Sequence, residues 1–380
     1  MPNSRYQTIL RFRWLFMLIL ACIATALLVG VALHPHSASI QSPTKLWSID
    51  LGADRDFRKR LSVEEVSLSP PSVNFLNGSQ IICDFYGGPI QGTGESSMSS
   101  GYHVLEIDAH TGKLGRKLDF RALEDNYRAL PVADGGFMVL ADDVLKVFSN
   151  QFVPKLSYPT PRVEGGKYFD RWLVDIAPGG QTALLYNHQP GREQGKWTWL
   201  RTAKLTAIRS VEGPLTRSIR ASDTSGIFDG VDDRELLSTL KATVLCTRCR
   251  AFFLTDDLLF LDKGDTYSIR TIEGETRGEG NLGIGGANFN RAAQASRFVY
   301  STGHYNGSGY PIQTHFDSIT AKIRVWDWVT NKLIAEISVD EPAGNPSAGL
   351  SQMSLALSPD GENLAVLIHH TLSLYRLPYD

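Results

Sequence analysis

The sequence predicts an all-β protein of repeated four-stranded units, preceded by one apolar helix outside the fold. Three observations predict it. Short apolar runs, separated by turns rich in Gly, Asp and Pro, recur from Lys45 to the C-terminus. Glycine is abundant, 34 in 380 residues, while long helical periodicity is scarce. A stretch from Trp14 to Leu33 carries no charged or strongly polar residue.

The N-terminal stretch comes first. A helix of about 20 apolar residues rises about 30 Å, the hydrocarbon thickness of a bilayer. Arg5, Arg11 and Arg13 precede it, and no Lys or Arg comes after it until Lys45. That asymmetry keeps residues 1–13 in the cytoplasm and exports the rest of the chain. The expected organisation is a signal-anchor helix over 14–33, a Ser- and Pro-containing linker over 34–44, and a folded domain over 45–380. The domain is then held on the periplasmic or extracellular side of the cytoplasmic membrane. Two alternatives stay open. Cleavage near Ser37-Ala38-Ser39 would release the protein, and Ile19-Leu20-Ala21-Cys22 resembles a lipoprotein box that would lipidate Cys22. Net charge is −2, so no global field draws the chain to nucleic acid, and none is expected as a partner.

Two turn signals define the repeat. The first joins two apolar runs, as in Leu355 to Val366 through Ser358-Pro359-Asp360-Gly361. It recurs at Leu130–Leu140 and Val174–Leu185, and more weakly at Ser218–Phe228 and Ala251–Leu261. The second is Asp, two residues, Thr, Gly or Asn, then Lys, at Asp108–Lys113 and Asp327–Lys332. Gly and Asn tolerate the positive φ a tight reversal needs. Together the signals mark four strands per unit, A to D. A strands are expected near Val73, Tyr127, Trp172, Arg217, Ala251, Ala287 and Met353. Their spacing, roughly 35 to 65 residues, is close to that of four-stranded propeller blades.

The last unit has no room for a D strand before Asp380. Lys45–Leu51, an orphan strand ahead of the first unit, is expected to supply it and close a ring. The expected fold is a seven-bladed β-propeller closed by an N-terminal strand, a count for which six remains the alternative.

These units resemble WD40-like and YVTN-type β-propeller repeats over Lys45 to Asp380. The chain departs from true WD40 repeats. Trp-Asp occurs once, at Trp326-Asp327, and Gly303-His304 is placed in a loop. A divergent, bacterial-type propeller is what the resemblance implies.

Antiparallel order puts A–B and C–D turns on one face and B–C and D–A loops on the other. The long segments Tyr86–Gly101, His188–Gly195 and Ser301–Ala321 are read as B–C loops, and Gly274–Gly286 as a D–A loop. One face is plain and the other loop-rich, and long loops on a rigid scaffold are where binding resides. The expected contributors are Tyr86, Tyr102, His188, Arg192, His304, Tyr305, Tyr310 and His315, a set suited to a protein, peptide or glycan.

The remaining motifs are weak. Cys246-Thr-Arg-Cys249 reads as a disulfide at a D–A turn, with free thiols or half a metal site as alternatives. Cys83 reads as a buried small hydrophobe. Gly278–Gly283 has the letters of a dinucleotide fingerprint but no helix start after it, so a flexible loop is expected. His369-His370 reads as a solvated B–C turn. No catalytic residues, metal or cofactor are expected. The function expected is a membrane-anchored, non-enzymatic binding module or scaffold. The alternative is a propeller-type enzyme, a metal-dependent hydrolase or quinone-cofactor dehydrogenase, which the resemblance permits.

Overall fold

The computed structural model describes residues 42–61, 71–89, 100–121, 128–141, 144–160, 172–188, 194–216, 218–229, 233–237, 242–247, 249–264, 266–281, 286–306, 318–342 and 353–378. The predicted anchor over 14–33 lies outside them. Among the described residues, no helix is long and apolar enough to cross a membrane.

Strand β1 (Thr44–Asp50) leads through a 3₁₀ turn (Leu51–Ala53) into helix α1 (Arg55–Leu61). The first sheet comes next: β2 (Ser72–Asn77), β3 (Gln80–Pro89), β4 (Ser100–Asp108) and β5 (Leu114–Arg121). The second holds β6 (Ala129–Pro131), β7 (Phe137–Ala141), β8 (Val144–Phe148) and β9 (Pro154–Pro159). The third holds β10 (Trp172–Ile176), β11 (Thr182–His188), β12 (Gly195–Arg201) and β13 (Thr206–Gly213). The fourth holds β14 (Ile219–Ala221), β15 (Gly226–Asp229), β16 (Asp233–Leu237) and β17 (Ala242–Thr247). The fifth holds β18 (Arg250–Phe253), β19 (Leu258–Asp262), β20 (Thr266–Thr271) and β21 (Thr276–Asn281). The sixth holds β22 (Gly286–Arg291), β23 (Arg297–Asn306), β24 (Ser318–Asp327) and β25 (Lys332–Pro342). The seventh holds β26 (Met353–Leu357), β27 (Asn363–Ile368) and β28 (Thr371–Arg376), with β1 as its outer strand.

Every sheet is antiparallel, and the whole is an all-β β-propeller. In register, β1 pairs with β28 from Thr44↔Arg376 to Asp50↔Thr371. Ser48 Oγ and Ser373 Oγ lie 2.9 Å apart across this pair. The Trp47 indole donates to Ala109 O at 2.8 Å, tying the closing strand to the first sheet as well.

The packing explains why the inner strands read as near-continuous apolar runs rather than alternating ones. Successive side chains leave opposite faces of a strand. In β3, Ile81, Cys83 and Phe85 enter a core shared with Ala365, Leu367 and Leu374 of the seventh sheet. Ile82 and Tyr86 enter a core shared with Phe137, Val139 and Phe148 of the second. Each sheet is thus buried on both faces, and such apolar cores join every successive pair around the circle. Outer strands have solvent on one side and alternate, as in β9 and β21.

Both turn signals have a physical basis. Asp108 Oδ1 accepts from His110 N (3.0 Å), Thr111 N (2.8 Å) and Thr111 Oγ1 (2.9 Å). Asp327 Oδ1 repeats the pattern with Val329 N (2.9 Å), Thr330 N (2.7 Å) and Thr330 Oγ1 (2.9 Å). The turns close on Gly112 (φ 72°) and Asn331 (φ 53°), which explains Gly or Asn at that place.

Three sequence expectations need correction. Ser301–Ala321 is not an irregular loop from its start. β23 and β24 continue in register to Asn306↔Ser318, so Gly303, His304 and Tyr305 lie on a strand. β22 pairs only as far as Thr302. Beyond it, β23, β24 and β25 run on as a three-stranded ribbon past the innermost strand. Gly274–Gly286 is likewise not one D–A loop, because β21 crosses it. Gly280 is required there: a Cβ would come within 2.7 Å of the Tyr267 ring. The dinucleotide letters therefore begin on a strand, where no helix N-terminus faces a phosphate. Tyr86 and Tyr102, finally, are buried in the core between the first and second sheets.

Candidate functional site

The A strands of successive sheets line a central channel with a cavity of about 350 Å³. It takes in residues of all seven A strands and of the A–B turns, including Asn74, Arg128, Asp175, Arg220, Asn290 and Arg291. Polar side chains here have a common task, because an innermost strand has a free edge whose backbone groups need partners.

A hydrogen bond crosses each junction of the ring. From the seventh sheet to the first, Val73 N donates to Ser354 Oγ at 3.0 Å. Next, Asn74 Nδ2 donates to Ala129 O at 3.3 Å. Ala133 N donates to Gly180 O at 3.1 Å. Ala221 N donates to Asp175 Oδ2, and Asp223 N to Asp256 Oδ1, both at 2.8 Å. Arg291 Nε donates to Phe253 O at 2.9 Å. Leu357 N donates to Asn290 Oδ1 at 3.1 Å, closing the circle.

Arg291 does more than bridge neighbours. Its Nη1 donates to Pro178 O at 2.9 Å, bracing the sixth sheet against the third. Burial lowers its pKa to about 10, against the opposing pull of Asp175 and Asp256. Burial raises the pKa of Asp175, partly offset by Arg220 and Arg291.

A second arrangement recurs at the other end of the A strands. Ser72, first in β2, pairs in register with Asp84 of β3, and Arg250, first in β18, pairs with Asp262 of β19. Asp84 is buried and accepts from Ser72 Oγ and from Tyr102 OH, the latter at 2.9 Å. Asp262 is buried and accepts from Arg250 Nε at 2.9 Å and from Tyr300 OH. Both carboxylates pin the start of an A strand to the sheet behind it.

Among the described residues, Asp84 has no ion pair to match that of Asp262. Desolvation raises its pKa to about 6 from 3.8, the Ser72 and Tyr102 hydrogen bonds and the more distant Arg128 offsetting only part of this. Between about pH 4 and pH 6 the native state therefore holds a proton that the unfolded chain has lost. Stability from this residue is greatest below pH 4, falls as pH rises to 6, and is level above. The shift corresponds to about 3 kcal/mol. Asp84→Asn should flatten this slope, so that the variant gains on wild type from pH 4 to 7. Parallel denaturation midpoints across that range would contradict the assignment.

The predicted site residues fall into three groups. Tyr86 and Tyr102 are core, their rings 5.3 Å apart, and line no surface. His188 ends β11 opposite Gly195 and is half-buried at the edge of the loop-rich face. His304 and Tyr305 lie on the β23 ribbon at that face. Arg192, Tyr310 and His315 lie outside the described residues, as do most of the loops that carry them. Cys246, next to last in β17, and Cys249, preceding β18, are disulfide-bonded with Cα atoms 6.0 Å apart, inside the core shared by the fourth and fifth sheets. His370 Nδ1 lies 2.8 Å from Asp50 Oδ1, a pair at the far end of the closing strand. Cys83 is buried in β3.

The junction hydrogen bonds were beyond sequence reasoning, since each joins residues tens to hundreds apart. One signal was available: polar residues such as Asp175, Asn290 and Arg291 interrupt A strands that otherwise read as apolar.

No family model matches the chain, and no curated protein matches it in sequence. Solved structures do. The chain is similar to the WD40 domain of Neurospora crassa Pan2, with a TM-score of 0.54 at 11% identity over 91% of this chain and 98% of that one. It is also similar to Raptor of Chaetomium thermophilum, with a TM-score of 0.56 at 8% identity over 89% of this chain and 29% of that one. At such identities the likeness establishes the β-propeller fold.

Proposed function

We propose that the chain is a scaffold that binds protein or peptide partners on its loop-rich face, a seven-bladed propeller held outside the cytoplasmic membrane by residues 14–33. The observation that carries this reading is that much of the channel's polar lining, together with Asp256 on an A–B turn, is committed to joining neighbouring sheets. Asp175, Asp256, Asn290 and Arg291 each bond the backbone of another sheet. These groups hold the ring together and support a rigid display of loops rather than chemistry in the channel. The β23–β25 ribbon lengthens one side of that display. The sequence supports the rest of the reading: the uncharged run from Trp14 to Leu33, the arginines before it, and the loop positions His188, Arg192, Tyr310 and His315.

The test is site-specific photo-crosslinking in native membranes. A photoreactive residue at position 188 or 310 should give discrete protein adducts. The same residue at Val329, 75% exposed on a C–D turn of the plain face, should give none. Equal labelling from both faces, or none from the loop-rich face, would refute the reading. Carbonate extraction of the same membranes tests the anchor: the protein should stay in the membrane fraction, whereas a cleaved product would be released.

A further inference from the structure

Helix α1 lies over the outer part of the first sheet, where Phe57 is buried and packs against Phe85 with ring centroids 4.8 Å apart. Three carboxylates at the helix are engaged within the domain. Asp54 Oδ1 caps the helix, accepting from Asp56 N at 2.9 Å and from Phe57 N at 3.0 Å. Lys117 of β5 bonds Asp56, and its ammonium lies 3.2 Å from Asp54 Oδ2. Asp119, also of β5 and close to Asp56, lies 2.6 Å from His103 Nδ1 of β4.

The cations of the helix are placed differently. Arg55 and Arg58 are exposed, and among the described residues neither forms an ion pair. Arg58 Nε donates to Gly52 O at 2.8 Å, which holds that side chain against the turn ahead of the helix. Lys59 and Arg60 follow in sequence, so residues 55–60 carry four cations and one acid in a chain of net charge −2. Positions three and four apart are neighbours on a helix, and like charges there repel unless a counter-charge is near. The nearby acids that could supply it are turned to Lys117 and His103 instead.

We propose that α1 is a docking surface for the anionic phospholipid headgroups of the membrane that carries the chain. The inference rests on the anchor over 14–33 and adds to it a surface of the folded domain. Two observations point to this occupant. The first is charge: guanidinium groups bind phosphate oxygens through paired N–H donors, and an anionic surface attracts basic segments within about one Debye length, about 8–10 Å. The second is connectivity. The linker after the anchor runs straight into β1, and α1 comes next, so tethering keeps the lipid at a high effective concentration for this helix. Phe57, the one aromatic residue of the helix, is buried in the core. The contact is therefore electrostatic, at headgroup level, and sensitive to salt.

The test uses full-length protein in lipid nanodiscs. A fluorescent amino acid replaces Ala53, exposed between β1 and α1, and the lipid headgroups carry a nitroxide quencher. Discs with about one-third phosphatidylglycerol should quench the label several-fold more than discs of phosphatidylcholine alone, and high salt should abolish the difference. The same label in place of Val244, on the outer strand of the fourth sheet, should show no dependence on lipid. Arg55→Glu and Arg58→Gln should each lower quenching at position 53 several-fold. The Arg55 side chain has no hydrogen bond among the described residues, so its arm stands even if Arg58→Gln disturbs the turn at Gly52. Equal quenching in the two lipids, or undiminished quenching in Arg55→Glu, would overturn the docking surface while the anchor stands. Protein that does not enter the discs would overturn the anchor, and this surface with it.

Discussion

Deleting residues 44–50 should destabilise the protein by on the order of 5 kcal/mol, most of a typical domain's stability. The deletion removes the outer strand of the seventh sheet, paired along its length with β28. Backbone hydrogen bonds contribute about 1 kcal/mol each, and partly buried Trp47 and Ile49 add roughly 1–2 kcal/mol apiece. Removal also exposes the edge of β28, so the remaining chain should aggregate. Trp47→Ala is the milder form. It breaks the bond to Ala109 O and the packing against the first sheet, and should cost about 2–4 kcal/mol. Chemical denaturation measures both. A midpoint within error of wild type would mean that β1 is dispensable.

Arg291→Leu should cost about 3–5 kcal/mol although leucine fits an apolar surface well. The guanidinium bonds two carbonyls on two other sheets and stands near Asp175 and Asp256. Removing one member of this half-buried charge cluster leaves the others uncompensated. Adding Asp175→Asn should therefore recover part of the loss, because Asn still accepts from Ala221 N without carrying charge. A double-mutant cycle in which the two effects simply add would show that Arg291 acts through its carbonyl bonds alone.

Local chemistry was what the sequence made legible. The Asp-x-x-Thr-Gly/Asn-Lys turns could be read because every bond in them lies within a few residues, as Asp108 and Asp327 show. The closing strand could be inferred from topology, since a unit lacking one strand and an orphan strand elsewhere explain each other. Strand length was not legible. β23 and β24 run past the expected end of the hairpin because pairing continues wherever register allows. The same blindness placed Tyr86 and Tyr102 on a loop face, when β3 and β4 carry them into the core between two sheets. His103 drew no notice in the sequence because its partner, Asp119, lies on the next strand, 16 positions later. Junction residues were hidden for the same reason, their bonds being set by the neighbour around the ring.

Ring closure is the claim on which the rest depends, and one measurement reaches it directly. Ser48 and Ser373 stand opposite each other, their hydroxyls 2.9 Å apart, though 325 residues separate them in sequence. Replacing both with cysteine should give a disulfide on mild oxidation, identified by mass spectrometry of the linked peptides and accompanied by a higher melting temperature. If oxidation leaves the two cysteines unlinked in folded protein, the ends of the chain do not meet in one sheet and the closed ring is wrong.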